Sequence, residues 1–310
     1  MKIIFFGTPE FAATSLKTII ANGYEVAAVV TMPDKVGGRG NKIIESDVKK
    51  VAQEHGLEIL QPEKLRDPKF LSRLKELDAD LFVVIAFRML PEVVWSMPRL
   101  GTFNLHASLL PQLRGAAPIN HAIISGLKTT GVTTFLLNAE IDKGNILLSS
   151  EIEIAADETA GSLHDKLMDL GASLVIDTIK SIESGGLKAV PQVENEHLVA
   201  APKIFKDFCK IDFNTPAFEI ERLVRGLYPY PAAWCRIMLD NGKTLDAKIL
   251  KVAVLSGTED LAPGECRPEK KRIIVATSDG MIEIMELQPA GKKPMDAKAF
   301  LAGYSPQRFF

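Results

Sequence analysis

Leu81-Phe82-Val83-Val84-Ile85-Ala86 is apolar at every position, which predicts a central parallel strand buried on both faces. Such a strand needs helices above and below it, and the sequence around it supplies them. Up to residue 187, short apolar strands (2–6, 26–31, 102–106, 132–137) alternate with helical patterns over 9–21, 46–55 and 160–183. Ser46 is placed to cap the second helix and Gly56 to close it. The order predicts an α/β domain over 1–187, a doubly wound, mostly parallel Rossmann-like sheet. In residues 188–205 the pattern loses its period and Pro191 and Pro202 punctuate it, the mark of a linker. Beyond it, Thr215 as cap and Pro216 at the first position predict a short helix. Strands over 234–239, 244–255, 272–277 and 281–287 follow, split by Asn241-Gly242 and Asp279-Gly280. Residues 206–310 therefore read as a smaller, OB-like β-barrel domain.

Bulk properties exclude several function classes. Three cysteines, Cys209, Cys235 and Cys266, are odd in number and widely spaced. They make a disulfide framework or zinc site unlikely and fit a reducing compartment. No apolar run approaches a membrane span, so a cytoplasmic protein without membrane partner or metal is expected. A formal net charge of −2 argues against non-specific polyanion binding. Residues 206–310 carry 16 Lys/Arg against 14 Asp/Glu, so any polyanion contact there needs local basic groups. Candidates are Arg267, Lys270 to Arg272 and Lys292-Lys293.

Chemistry concentrates at the end of the strand 102–106. Asn104 and His106, two residues apart, project from one strand face. A side-chain amide beside an imidazole suits oxyanion stabilisation and proton transfer; satisfying backbone groups at a strand end is the plainer alternative. Asp142, in a turn after the strand 132–137, joins them at the same sheet edge if the strands are parallel. There a carboxylate raises the imidazole's proton affinity or holds a water; otherwise Asp142 is a turn residue. Gly7-Thr8-Pro9-Glu10 lacks the GxGxxG pattern, and Pro9 removes one backbone donor, which disfavours a dinucleotide site. The glycine-rich, basic loop with Gly37, Gly38, Arg39, Gly40 and Lys42 is either a solvated loop or a mobile element that closes over a substrate. With no GxSxG and no cysteine among the strand-end polar groups, the residues point to direct transfer between two bound substrates.

Asn104-x-His106, Ser108-Leu109-Leu110-Pro111, Arg114-Gly115-Ala116-Ala117-Pro118 and the later Asp142 together resemble the signature of the folate-dependent formyltransferases. Gly7-Thr8-Pro9-Glu10-Phe11, Gly38-Arg39-Gly40 and Leu287-Gln288-Pro289-Ala290-Gly291-Lys292-Lys293 narrow the resemblance to members acting on an aminoacylated tRNA. It implies transfer of the formyl group of N10-formyltetrahydrofolate (10-formyltetrahydrofolate) to the α-amine of initiator methionyl-tRNA; a monomer is expected. It also implies Asn104, His106 and Asp142 as catalytic residues and Ser108, Leu109, Leu110 and Pro111 as the folate segment. Arg39 and Lys42 belong to a loop that reaches the tRNA, and the C-terminal barrel helps hold it. Phe87-Arg88-Met89-Leu90-Pro91 departs from the pattern, standing where family members commonly carry Tyr-Gly and one extra residue. Gln112-Leu113 replaces a frequent Arg and Trp. A formyltransferase for a nucleotide-linked amino sugar, which shares the core, is the alternative enzyme.

Overall fold

The computed structural model describes the chain except residues 38–41, 195, 258–259 and 270; at 42 and 268 it describes the backbone alone. Two compact units form. One contains residues 1–115, 129–152 and 165–200, and the other contains 116–128, 153–164 and 201–310. The second unit thus takes up two segments from within residues 1–187, and most of 188–205 is part of the first unit.

The first half of the chain runs β1 (Lys2–Gly7), α1 (Glu10–Ala21), β2 (Glu25–Val30), the hairpin β3 (Lys35–Gly37) and β4 (Lys42–Ile44), and α2 (Asp47–Glu54). Next come β5 (Ile59–Leu60), α3 (Pro68–Leu77), β6 (Leu81–Ile85), α4 (Glu92–Trp95), β7 (Thr102–His106), α5 (Pro118–Ile124), β8 (Thr129–Leu136), β9 (Ile146–Glu153) and α6 (Ala160–Glu183). The sheet order is β5-β2-β1-β6-β7-β8-β9. β5, β2, β1, β6 and β7 pair in parallel, whereas β8 runs antiparallel to β7. Every residue of β6 is buried. Phe82 and Val84 pack with Ile4 and Phe6 of β1 and with Phe70 and Leu74 of α3, while Val83 and Ile85, on the opposite face, are buried as well. Each such side chain removed from water contributes about 1.5–3 kcal/mol, so a polar residue inside β6 would be costly. Ser46 caps α2 by accepting from Lys49 N–H at 3.0 Å.

The second unit adds α7 (Ala217–Leu227), β10 (Ala233–Leu239), β11 (Thr244–Leu255), β12 (Cys266–Pro268), β13 (Ile273–Ala276), β14 (Met281–Pro289), β15 (Met295–Asp296), α8 (Ala297–Leu301) and β16 (Pro306–Phe309). These strands pair antiparallel in the order β12-β13-β14-β11-β10-β16. A bridge between Glu265 and Arg308 brings the two edges together, giving a nearly closed barrel. Ile220, Val224 and Leu227, on one stripe of α7, pack into its core. Pro216, not Thr215, stands at the cap position of α7, and it has no side-chain acceptor. The Thr215 hydroxyl donates to the Asp212 carbonyl. Asp279, from the turn before β14, accepts from Ala217 N–H at 2.8 Å instead. No helix among the described residues is long and apolar enough to cross a membrane.

β1 is pinned at its start by Asp80, which accepts from Lys2 N–H at 2.8 Å and from Arg99 Nε–H at 2.7 Å. The Lys2 amide, then Arg99, hold this carboxyl below its ordinary value of 3.8. A carboxylate depressed on folding stabilises above its unfolded pKa, and that stability is lost as pH falls through the folded value. Asp80→Asn therefore lowers the unfolding midpoint at pH 7, and the deficit shrinks as pH falls below the unfolded carboxyl value of about 3.9. Thermal melts of both proteins across pH 2.5 to 7 measure it; a pH-independent deficit contradicts the assignment.

Candidate active site

β7 carries Asn104 and His106 between two neighbours, opposite Val84 of β6 and Phe135 and Thr133 of β8. The strand order reverses between β1 and β6: the chain leaves β1 for β2 and β5, then returns to the other side of β1. Ligands in such sheets bind beyond the carboxyl ends at that reversal. His106 ends β7 beside it and is 6% exposed, while Asn104 is half-buried.

The backbone past β7 determines which nitrogen of His106 is available. His106 Nε2 lies 2.9 Å from the Leu113 carbonyl oxygen. A carbonyl only accepts, so Nε2 carries a hydrogen and Nδ1 is the free base of the neutral ring. Leu113, at φ 58°, holds the left-handed conformation that aims this carbonyl back at the imidazole. Ser108 is fully buried; its hydroxyl donates to the Gln112 carbonyl at 2.6 Å, and Thr133 links the Ser108 carbonyl to Leu110 N–H. Ser108 is thus committed to shaping its own loop. Leu110 is buried, and Leu109 and Pro111 are half-buried.

Asp142 reaches the same place by a route other than a parallel strand end. Because β8 is antiparallel to β7, its carboxyl end lies opposite Phe103, away from His106. Residues 137–145 turn back along the sheet, closed by Leu136 N–H donating to Asn145 O. This excursion places Asp142 Oδ2 3.9 Å from His106 Nδ1, where it accepts from Gly115 N–H at 3.0 Å. Asp142 itself holds φ 53°. Gln192, in the stretch read from sequence as a linker, donates to the carbonyls of Asp142 and Gly144 at 2.8 Å each. Arg114 in turn donates through Nε and Nη2 to Gln192 Oε1 and through Nη1 to Glu194. Gln192 lies 50 positions from Asp142, and nothing in its neighbours marks it. Arg39 lies outside the described residues, and of Lys42 only the backbone in β4 is described.

The second unit carries a cavity of about 770 Å³ lined by residues including Lys203, Lys206, Lys248, Tyr230, Trp234 and Pro289 to Gly291. Lys206 and Lys210 Nζ lie 5.3 and 5.9 Å from the Trp234 ring centre. Of the basic groups expected from sequence to concentrate charge, Lys271, Lys292 and Lys293 are exposed, whereas the two arginines are drawn to carboxylates. Arg267 pairs with Glu269, and Arg272 pairs with Glu283 and Glu269, while Lys270 lies outside the described residues.

Gly144 shows how tightly the Asp142 excursion is seated. A Cβ there would lie 1.6 Å from the Leu136 carbonyl oxygen, which is backbone and cannot swing away. Gly144→Ala destabilises by about 1–3 kcal/mol in urea unfolding, whereas Gly186→Ala, with its nearest neighbour 3.7 Å away, stays within about 0.5 kcal/mol. Equal effects would show that the loop yields freely.

A family model described as formyl transferase matches residues 1–179, and one described as formyl transferase, C-terminal domain, matches residues 203–305. A protein of Flavobacterium johnsoniae named methionyl-tRNA formyltransferase is 50% identical over 303 residues, covering 98% of this chain and 96% of its own. One of the same name from Bacteroides fragilis is 48% identical over 308 residues, covering 98% and 95%. HypX from Aquifex aeolicus, solved in complex with tetrahydrofolic acid, shares the fold at a TM-score of 0.64 and 17% identity, covering 98% of this chain and 47% of its own. With two matching models that together span most of its length and relatives near half-identical from end to end, the chain belongs to the formyl transferase family, alongside the methionyl-tRNA formyltransferases.

Proposed function

We propose that this protein transfers the formyl group of N10-formyltetrahydrofolate to the α-amine of methionine on initiator tRNA, as a cytoplasmic monomer. The observation that carries the reading is the pair His106 and Asp142, with the imidazole oriented by the Leu113 carbonyl and Asn104 on the same strand face. Curated relatives bearing the methionyl-tRNA name support the acceptor, and the tetrahydrofolate complex of a fold neighbour supports a folate donor.

The residues divide the work as follows. The neutral amine attacks the formyl carbon, a C–N bond forms, and the carbonyl oxygen becomes an oxyanion. Leu113 holds the Nε2 hydrogen of His106, so the donor to that oxyanion is the amide of Asn104, a contact typically worth about 3–4 kcal/mol. Nδ1 of His106 takes the proton the amine must lose, and Asp142 faces the imidazolium that results. As the bond to N10 breaks, N10 takes a proton, so the transfer is proton-neutral. The lysine-rich, aromatic-lined cavity of the barrel suits single-stranded nucleic acid, whose bases stack while ammonium groups meet phosphate. Its lining includes Gln288 to Gly291, part of the C-terminal motif.

The test is mass spectrometry of the amino acid after incubation with N10-formyltetrahydrofolate and charged initiator tRNA. Formylmethionine appears with the wild type, and a uridine-diphosphate amino sugar run in parallel stays unmodified; the reverse pattern assigns the sugar reaction instead. Asn104→Ala and His106→Ala each lower single-turnover transfer by about 100-fold or more. Near-normal rates in folded variants would remove the pair from the chemistry.

A further inference from the structure

We propose that Arg88 is a positioning residue that sets the folate wall of the site, an inference resting on the folate reading above. β6 ends at Ile85, at the reversal of strand order. Ala86, at φ 47°, turns the chain out of the strand in a conformation rare for a residue with a Cβ. Phe87 then packs edge-on against Phe6 of β1, with ring centres 5.9 Å apart. Arg88 holds its guanidinium carbon 5.7 Å from the Phe87 ring centre and reaches on to the segment after β5. Its Nη1 donates to the Glu63 carbonyl at 2.8 Å and its Nη2 to the Pro62 carbonyl.

Those carbonyls belong to the segment after β5. Gln61, one residue earlier, donates through Nε2 to the Met32 carbonyl and to Asp34 Oδ1, both at 2.9 Å. Asp34 in turn pairs with Lys49 of α2. The segments beyond β6, β5 and β2 are thus tied in one line along the carboxyl edge of the sheet, and Arg88 makes the tie from the β6 side. A guanidinium presents its donors as a rigid fork, so it holds two successive carbonyls at a defined spacing, which a flexible ammonium does not.

Stability alone does not account for an arginine here. Burial pushes its pKa down, and its Nε–H is buried with no acceptor among the described residues. On this half-buried side chain, a buried donor left unused is disfavoured against an apolar side chain of similar size. Such a group persists where a defined local geometry matters more than local stability. The geometry it defines is that of Phe87 to Leu90, beside the crevice where the fold places its ligand.

The test compares Arg88→Met and Arg88→Lys with the wild type in tetrahydrofolate binding by calorimetry, steady-state kinetics and thermal unfolding. With Arg88→Met, the KM for N10-formyltetrahydrofolate and the Kd for tetrahydrofolate rise about tenfold, while kcat and the KM for tRNA stay within threefold. Arg88→Lys gives an intermediate rise. Unchanged folate parameters in folded Arg88→Met overturn the proposal, as do parallel losses in kcat and both KM values. If Arg88→Met does not fold, Arg88→Lys decides by the same folate parameters. Failure of the folate reading shows separately, since the wild type itself would then bind no tetrahydrofolate.

Discussion

Burial of β6 and β1 on both faces governs where polar chemistry can occur. Neither strand can carry a polar side chain inward or outward without leaving it unsatisfied, so reactive groups are displaced to the carboxyl ends of the strands and the segments beyond them. β7, one strand over, shows the boundary: Phe103 and Leu105 are buried apolar residues, while Asn104 and His106 bring polar groups to the edge. The reversal of strand order between β1 and β6 opens a crevice at that edge, and the polar residues of β7 lie next to it.

What fixes the edge residues in the candidate site is a layer of backbone carbonyls and amides aimed by unusual conformations. The Leu113 carbonyl holds one imidazole nitrogen, the Gly115 amide holds the Asp142 carboxylate, and Gln192 holds the backbone on both sides of Lys143. Leu113, Asp142 and Gly115 all have positive φ. At Leu113 and Asp142, which carry a Cβ, this conformation is strained and is held by the hydrogen bonds around it, whereas Gly115 adopts it freely. The arrangement assigns each ring nitrogen of His106 a different task, leaving Nδ1 toward Asp142.

The two units use charge differently. Around His106 and Asp142, ions serve geometry: Arg114 orients Gln192 and anchors Glu194. In the barrel, many arginines are consumed by neighbouring carboxylates, as with Arg236 and Asp246 or Arg272 and Glu283. Lys206 and Lys210 instead stand over Trp234. A nearly neutral domain thereby keeps a local positive surface, which a count over residues 206–310 does not reveal.

Much of this was legible in the chain because it depends on local pattern. The apolar run at 81–85, with Ala86 left exposed beyond the strand, the boundaries of β7, β11 and α6, the Ser46 cap and the Asn104/His106 spacing all follow from side chains within a few residues of one another. The direction of β8 did not, because a strand's own sequence does not say which way its neighbour runs. Asp142 consequently reaches His106 by a returning loop. Thr215 looked like a cap because its neighbours could not disclose that Asp279, 62 residues beyond Ala217, would take the role. Gln192 and Arg88 belong to the same class, since each acts on carbonyls distant in sequence. The amino-acid sequence by itself determined which elements form, which face each buries and which residue types stand at the sheet edge, because these follow from short-range periodicity. Only the tertiary structure decided which backbone groups those residues meet, and so which atom of each is left for chemistry, because hydrogen bonds between distant segments exist only once the chain has closed on itself.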